Sequence, residues 1–146
     1  RSADARAEGE AYLTLMRQGW AREGSQFLQA FASIFAPDAT PGQVRSLVEL
    51  QRISADRDTA VRLRESFDRM DVSARLREIA VPTLVVHARN DGVHPLQESL
   101  DVAAELPEGE LRVLESRNHV LLAQDPVWSE AFAALIGFVK RSGGSS

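Results

Sequence analysis

The chain has 146 residues, of which 44% are hydrophobic, a globular composition on a length sufficient for one packed domain, which excludes a disordered segment. Lys and Arg number 17 against 21 Asp and Glu, a net charge of −4 with no basic stripe, so direct nucleic-acid contact is not expected. Cysteine is absent, which removes disulfide frameworks and thiolate zinc sites and fits a cytoplasmic protein; no apolar stretch approaches the ~20 residues of a membrane span, and no signal peptide is visible.

The chain opens at Arg1 without a methionine and is expected to be a piece of a longer protein. To about residue 70 it reads as helices only. Tyr12, Leu13, Met16 and Trp20 fall at helical spacing, as do Phe27, Leu28, Phe31, Ile34 and Phe35, with Ser25 as the expected N-cap of the second helix. The stretch PDATPGQ breaks this pattern. There Thr40 suits an N-cap, Pro41 the first helical position and Gln43 the return bond of a capping box. The helix that follows carries Val44, Leu47, Val48 and Ile53, and a fourth shows Ala60, Leu63, Phe67 and Met70 on one stripe. The charges of RDTAVRLRESFDR read as a solvated face with i,i+4 pairs, each worth a few tenths of a kcal/mol.

From residue 71 the pattern changes. Ser73 is expected to cap a short turn of helix. Val81-Pro82 leads into Thr83–Ala88, an apolar run that does not alternate cleanly, which predicts a strand covered on both faces. Pro95 is expected to open a helix to about Leu106, ended by Pro107-Glu108-Gly109. Leu111–Glu115 is a second strand candidate. Asp125-Pro126 predicts an N-cap followed by a first-position proline, with Trp128, Phe132, Leu135, Ile136 and Val139 lining the last helix. Residues 142–146, SGGSS, read as a flexible tail. The fold class is therefore α/β, a helical region over 1–72 followed by a β-α-β-α unit over 73–141. A strand–helix–strand succession predicts parallel pairing. Two parallel strands are too few for a stable sheet, so residues 82–140 are expected to form the edge of a larger one. A missing N-terminal half or further copies of the chain would then complete it, and self-association through the open edge is expected.

In open parallel sheets, reactive groups gather beyond the carboxyl ends of the strands. Asp91 follows the first strand, in RNDGVHP, and His119 follows the second, in SRNH. The plainer readings are a turn residue in Asn90-Asp91-Gly92 and a capping or surface histidine. The chemical reading is an acid that orients a histidine base. His87, Asp91 and His94 also suggest a metal site, but the first belongs to a strand and the others to a turn, so no metal and no cofactor is expected. The aromatics Trp20, Phe27, Phe31 and Phe35 read as helix-on-helix packing in preference to an acyl pocket.

The segments VPTLVVHARNDGVHP, SRNH and DPVWSEAFAALIGFV together resemble the last part of the α/β-hydrolase fold, whose chain order is nucleophile, acid, histidine. The leading helices resemble the lid inserted before the last two strands. With GWAR…F…F…PDATP, the resemblance extends to hydrolase domains fused to bacterial helix-turn-helix regulators or nucleotide cyclases. It implies Asp91 as catalytic acid and His119 as base. It covers most of this chain but only the C-terminal half of the family's domain. None of the nine glycines forms a G-x-S-x-G elbow with another, so the nucleophile is expected on a missing half and this chain alone is expected to be inactive. The implied activity of the complete protein is esterase-like hydrolysis of a small, fairly apolar acyl ester. The alternative is a ligand-sensing or interaction domain that keeps the same shape and passes a signal to a fused output domain.

Overall fold

A computed structural model describes the backbone of residues 3–20, 22 and 24–143, and the side chains among them from residue 9 onward. Four helices come first: α1 (Ala3–Gly19), α2 (Gln26–Phe35), α3 (Pro41–Ser54) and α4 (Arg57–Arg69). A 3-10 helix over Ser73–Glu78 precedes β1 (Thr83–Ala88), α5 (Leu96–Glu105), β2 (Gly109–Leu114) and α6 (Trp128–Ser142). The chain divides into two compact units, Arg1–Ser33 with Ala39–Asp71, and Ile34–Asp38 with Val72–Ser146. The end of α2 and the turn after it thus belong with the strands.

In the first unit, α1 packs on α4. Met16, Ala60 and Val61 form its core, with Tyr12, Leu13, Trp20 and Phe27 packed around them. Tyr12 meets Phe27 and Phe31 at ring-centroid distances of 5.7 and 5.8 Å, and the Trp20 indole N–H donates to the Ala55 carbonyl at 2.9 Å. Burial of the Tyr12 hydroxyl raises its pKa to about 12, because the phenolate would lose its hydration. Helix starts follow local chemistry. Thr40 and Gln43 make the full capping box, with Pro41 in the first turn. Ser25 Oγ accepts from the Leu28 N–H at 3.3 Å. Asp56 caps α4 through the Thr59 N–H at 2.7 Å. Arg64 and Asp68 form an i,i+4 pair. The apolar stripe expected on α4 is only partly covered: Ala60 is buried, whereas Leu63, Phe67 and Met70 are about half exposed or more.

In the second unit β1 and β2 pair in parallel, with Thr83 opposite Gly109 and Ala88 opposite Leu114. Helices α5 and α6 both contact the two strands. Leu114, Val127 and Ala131 make the core, with Leu121 against them; full burial of a leucine such as Leu114 contributes about 2 kcal/mol. Three expectations are corrected here. The second strand starts at Gly109, two residues early, because its register is set by Thr83 and not by its own composition: the Thr83 N–H donates to the Glu108 carbonyl at 3.0 Å. The cap position of the 3-10 helix falls on Val72, with no side-chain cap bond, and Ser73 is its first residue. The last helix starts at Trp128, because the Asp125 carboxylate closes a turn on the Val127 N–H at 3.2 Å and serves other donors.

Of the expected tail, Ser142 ends α6 and Gly143 closes it by donating its N–H to the Val139 carbonyl at 2.8 Å; residues 144–146 lie outside the described residues. The strand is not fully covered, since Val86 is 38% exposed. Phe132, Leu135, Ile136 and Val139 on α6 are also half exposed, since two strands offer too little area to cover that face. Gly109 is fixed by close approach: a Cβ there would lie 2.6 Å from the Ala103 carbonyl oxygen and 2.8 Å from Leu106 Cβ. Gly109→Ala is therefore expected to destabilise the second unit by about 2 kcal/mol, read as a lower urea midpoint. Among the described residues no helix is long and apolar enough to cross a membrane.

Candidate active site

The parallel register brings the carboxyl ends of β1 and β2 side by side. The Arg89 N–H donates to the Leu114 carbonyl at 2.9 Å, and the Asn90 N–H to that of Ser116 at 3.0 Å. The loop carrying Asp91 and the loop carrying His119 are thus joined main chain to main chain. The Asp91 N–H turns back to the Ala88 carbonyl at 3.0 Å. Its Oδ1 accepts from the Val93 N–H at 2.7 Å and the His94 N–H at 3.3 Å. This is the aspartate turn that Asn-Asp-Gly announces, and it leaves Oδ2 free to face the other loop. There Oδ2 lies 2.7 Å from His119 Nδ1.

One oxygen of Asp91 thus builds the turn and the other meets the histidine. The Asp91 side chain is only 4% exposed and that of His119 32%. Burial pushes the Asp91 carboxyl up, and the hydrogen bonds from His119, Val93 and His94 outweigh it, holding the group below its ordinary value. An ionised Asp91 accepts the Nδ1 proton of His119, which leaves Nε2 with a lone pair for proton transfer. The Phe35 ring meets the His119 imidazole edge-on at 4.9 Å, and the His94 ring lies 5.5 Å away.

Beside this pair is a cavity of about 320 Å³, lined by Val85, His87, Asp91, His94, Ser99 and His119 among others. A larger open groove of about 640 Å³ runs along α3 past Gly42, Arg45, Glu49 and Ile53, but it contains no paired acid and base. His94 is at the cavity rim, where its Nδ1 lies 3.0 Å from Glu98. His87 stays in the strand, buried, with Nδ1 2.8 Å from Ser99 Oγ. Among the described residues no group of three or more His, Asp or Glu side chains is placed to hold a metal ion.

Sequence reasoning missed what fixes the histidine loop. Phe35, expected in helix-on-helix packing with Trp20, Phe27 and Phe31, belongs with the second unit. Its carbonyl accepts from the Val120 N–H at 3.0 Å. Asp125, expected as a helix cap, is buried and accepts from Ser116 Oγ and Asn118 Nδ2, both at 2.7 Å. Arg117 is paired to Asp38, its Nε 2.9 Å from Oδ1. None of these partners is signalled by spacing, since Asp38 and Arg117 are 79 residues apart.

No family model matches the chain. A stretch of 72 residues, 49% of the chain, is 36% identical to the "Putative carbamate hydrolase RutD" of Pseudomonas syringae pv. syringae (strain B728a) and covers 28% of it. Among solved structures, the chain is similar to a hydrolase from Oleispira antarctica, with a TM-score of 0.77 and 17% identity, over 92% of this chain and 47% of that one. It is also similar to an esterase from Exiguobacterium antarcticum, with a TM-score of 0.74 and 21% identity, over 92% and 48% of the two chains. The chain spans about half the length of these solved hydrolases. The chain thus has the fold of the corresponding half of these solved hydrolases.

Proposed function

We propose that these 146 residues are the lid and C-terminal portion of an α/β-hydrolase-fold protein that cleaves a small acyl ester or a related acyl compound. The observation that carries this reading is the 2.7 Å contact between His119 Nδ1 and a nearly buried Asp91, beside a cavity at the carboxyl ends of two parallel strands. In the complete protein a serine hydroxyl attacks the substrate carbonyl while His119 Nε2 takes its proton. His119 then protonates the departing alkoxide, and an acyl-enzyme remains. Water, deprotonated by the same nitrogen, releases the acid and regenerates the serine. Asp91 keeps the proton on Nδ1 and stabilises the imidazolium between these transfers. The nucleophile and the oxyanion-hole donors come from outside these residues. A carbamate, the substrate class in the name of the relative RutD, presents the same kind of carbonyl to attack.

Hydrolysis of a short-chain nitrophenyl ester and the matching carbamate, on the 146-residue chain and on its longest parent, tests this. Activity is expected in the parent and absent in the chain alone, and His119→Ala is expected to abolish the parent's activity. Turnover by the chain alone would place a nucleophile within these residues. No turnover in either would transfer the reading to a ligand-sensing domain.

A further inference from the structure

Asn118, immediately before His119, is 1% exposed, a burial that an amide tolerates only when its donors and acceptor are paired. Here Nδ2 donates to Asp125 Oδ2 at 2.7 Å, Oδ1 accepts from the Asp38 N–H at 3.0 Å, and its own N–H donates to Ser116 Oγ at 3.1 Å. On the other side of His119, the Val120 N–H donates to the Phe35 carbonyl. The main chain is thus held on both sides of the histidine, by partners from β2's loop, from Asp125 and from the segment after α2.

We propose that Asn118 is the positioning residue of the Asp91–His119 pair: its buried amide, locked between the Asp125 carboxylate and the Asp38 main chain, sets where the His119 imidazole meets Asp91. This rests on the hydrolase reading for its consequence in catalysis, but not for the geometry. Position 118 needs a donor toward Asp125 and an acceptor toward Asp38 within one short side chain. Asparagine supplies both. Aspartate would set a second carboxylate against Asp125, serine would not span the two partners, and alanine would leave both unpaired. A histidine loop released on this side can drift by an ångström, and misplacement on that scale costs on the order of 100-fold in rate.

The test is an NMR spectrum of the imidazole nitrogens of the 146-residue chain, which has three histidines, so that His87, held in the strand by Ser99, acts as internal reference. In the unaltered chain His119 is expected to carry its proton on Nδ1, with a downfield, slowly exchanging resonance. In Asn118→Ala that resonance is expected to be lost and the His119 ring to average between tautomers, while His87 keeps its spectrum. A folded Asn118→Ala chain that retains the resonance overturns the proposal. The exchanged pair Asn118→Asp with Asp125→Asn reverses the donor and the acceptor between the same two positions. It is expected to fold and to restore the resonance, so the proposal survives an Asn118→Ala chain that does not fold. An exchanged pair that lacks the resonance, or does not fold, overturns it. In the parent, Asn118→Ala is expected to lower kcat by about 10- to 100-fold with KM little changed. Because the spectrum uses no substrate, a lost resonance beside an unreactive parent removes only the hydrolase reading, and a retained one beside a reactive parent removes only the positioning role.

Discussion

Asp91→Asn in the complete, nucleophile-bearing protein is expected to lower kcat by about 10⁴-fold while the fold survives. Asparagine has the shape of aspartate, and its Oδ1 still accepts the Val93 and His94 N–H groups that build the turn. What changes is the atom facing His119. An amide NH₂ stands where Oδ2 lay 2.7 Å from Nδ1, and two donors cannot share a hydrogen bond. The imidazole then moves its proton to Nε2 and offers its lone pair to the amide. The nitrogen that should take the nucleophile's proton is then already protonated. The stabilisation of the imidazolium by a buried carboxylate is lost as well. The check is steady-state ester hydrolysis by parent and variant, together with the urea midpoint of each. A loss of tenfold or less, with an unchanged midpoint, would show that Asp91 does not hold the base and that its role ends with the turn. Asp91→Ala is a poorer test, because it also strands two N–H groups and mixes instability with lost chemistry.

How much of this was legible in the sequence depends on how local the physics is. The capping box of α3 lies within four consecutive residues, and each has a single favoured role there, so it could be read directly. The span of β1 was legible because Thr83–Ala88 is apolar and β-branched between a proline and a turn. The start of β2 was not, because Gly109 and Glu110 have no strand preference of their own and are held by pairing with Thr83 and Leu84. The positions of Asp91 and His119 followed from one topological rule: residues after neighbouring parallel strands meet at one end of the sheet. Their pairing needed no spacing motif, only the register.

The surroundings of the site were illegible for the opposite reason. A buried asparagine and a solvent-exposed loop asparagine are the same letter. Ser116, Asn118 and Asp125 looked like loop and cap residues, and only burial turns them into one network. Phe35 was placed on the apolar stripe of α2 by its helical period, and that period is real. The last turn of the helix nevertheless belongs with the second unit, where the ring meets an imidazole. The exposed apolar residues of α6 show a further limit. A helical period states which face seeks cover, and whether cover is present depends on area that these two strands do not provide.

Asp125→Ala is expected to remove about 3 kcal/mol from the stability of the second unit, a large part of the 5–15 kcal/mol typical of a whole domain. Asp125 is 8% exposed, and its carboxylate accepts three hydrogen bonds, from Ser116 Oγ, Asn118 Nδ2 and the Val127 N–H. Removing it strands all three donors in a place water does not reach, where each unpaired group costs more than its bond contributed. The loss is checked by urea unfolding followed through the amide signals of β1 and β2, as a lower midpoint at unchanged slope. The pH dependence adds a second, signed readout. Burial raises the Asp125 pKa, but the bonds from Asn118, Ser116 and Val127 outweigh it and depress the group below its ordinary value. A depressed folded-state pKa means that the unfolded chain binds the proton more readily. The stabilisation is therefore complete above the unfolded value of about 4 and is lost as pH falls through the lower folded value. The gap between the unaltered chain and Asp125→Ala is expected to be constant from neutral pH down to about pH 5 and to shrink progressively below about pH 4. Asp91, also depressed, keeps its own acid limb in the variant, so some loss of stability below pH 4 remains. A gap that does not narrow in acid would mean that the ionised form of Asp125 is not what the three donors require.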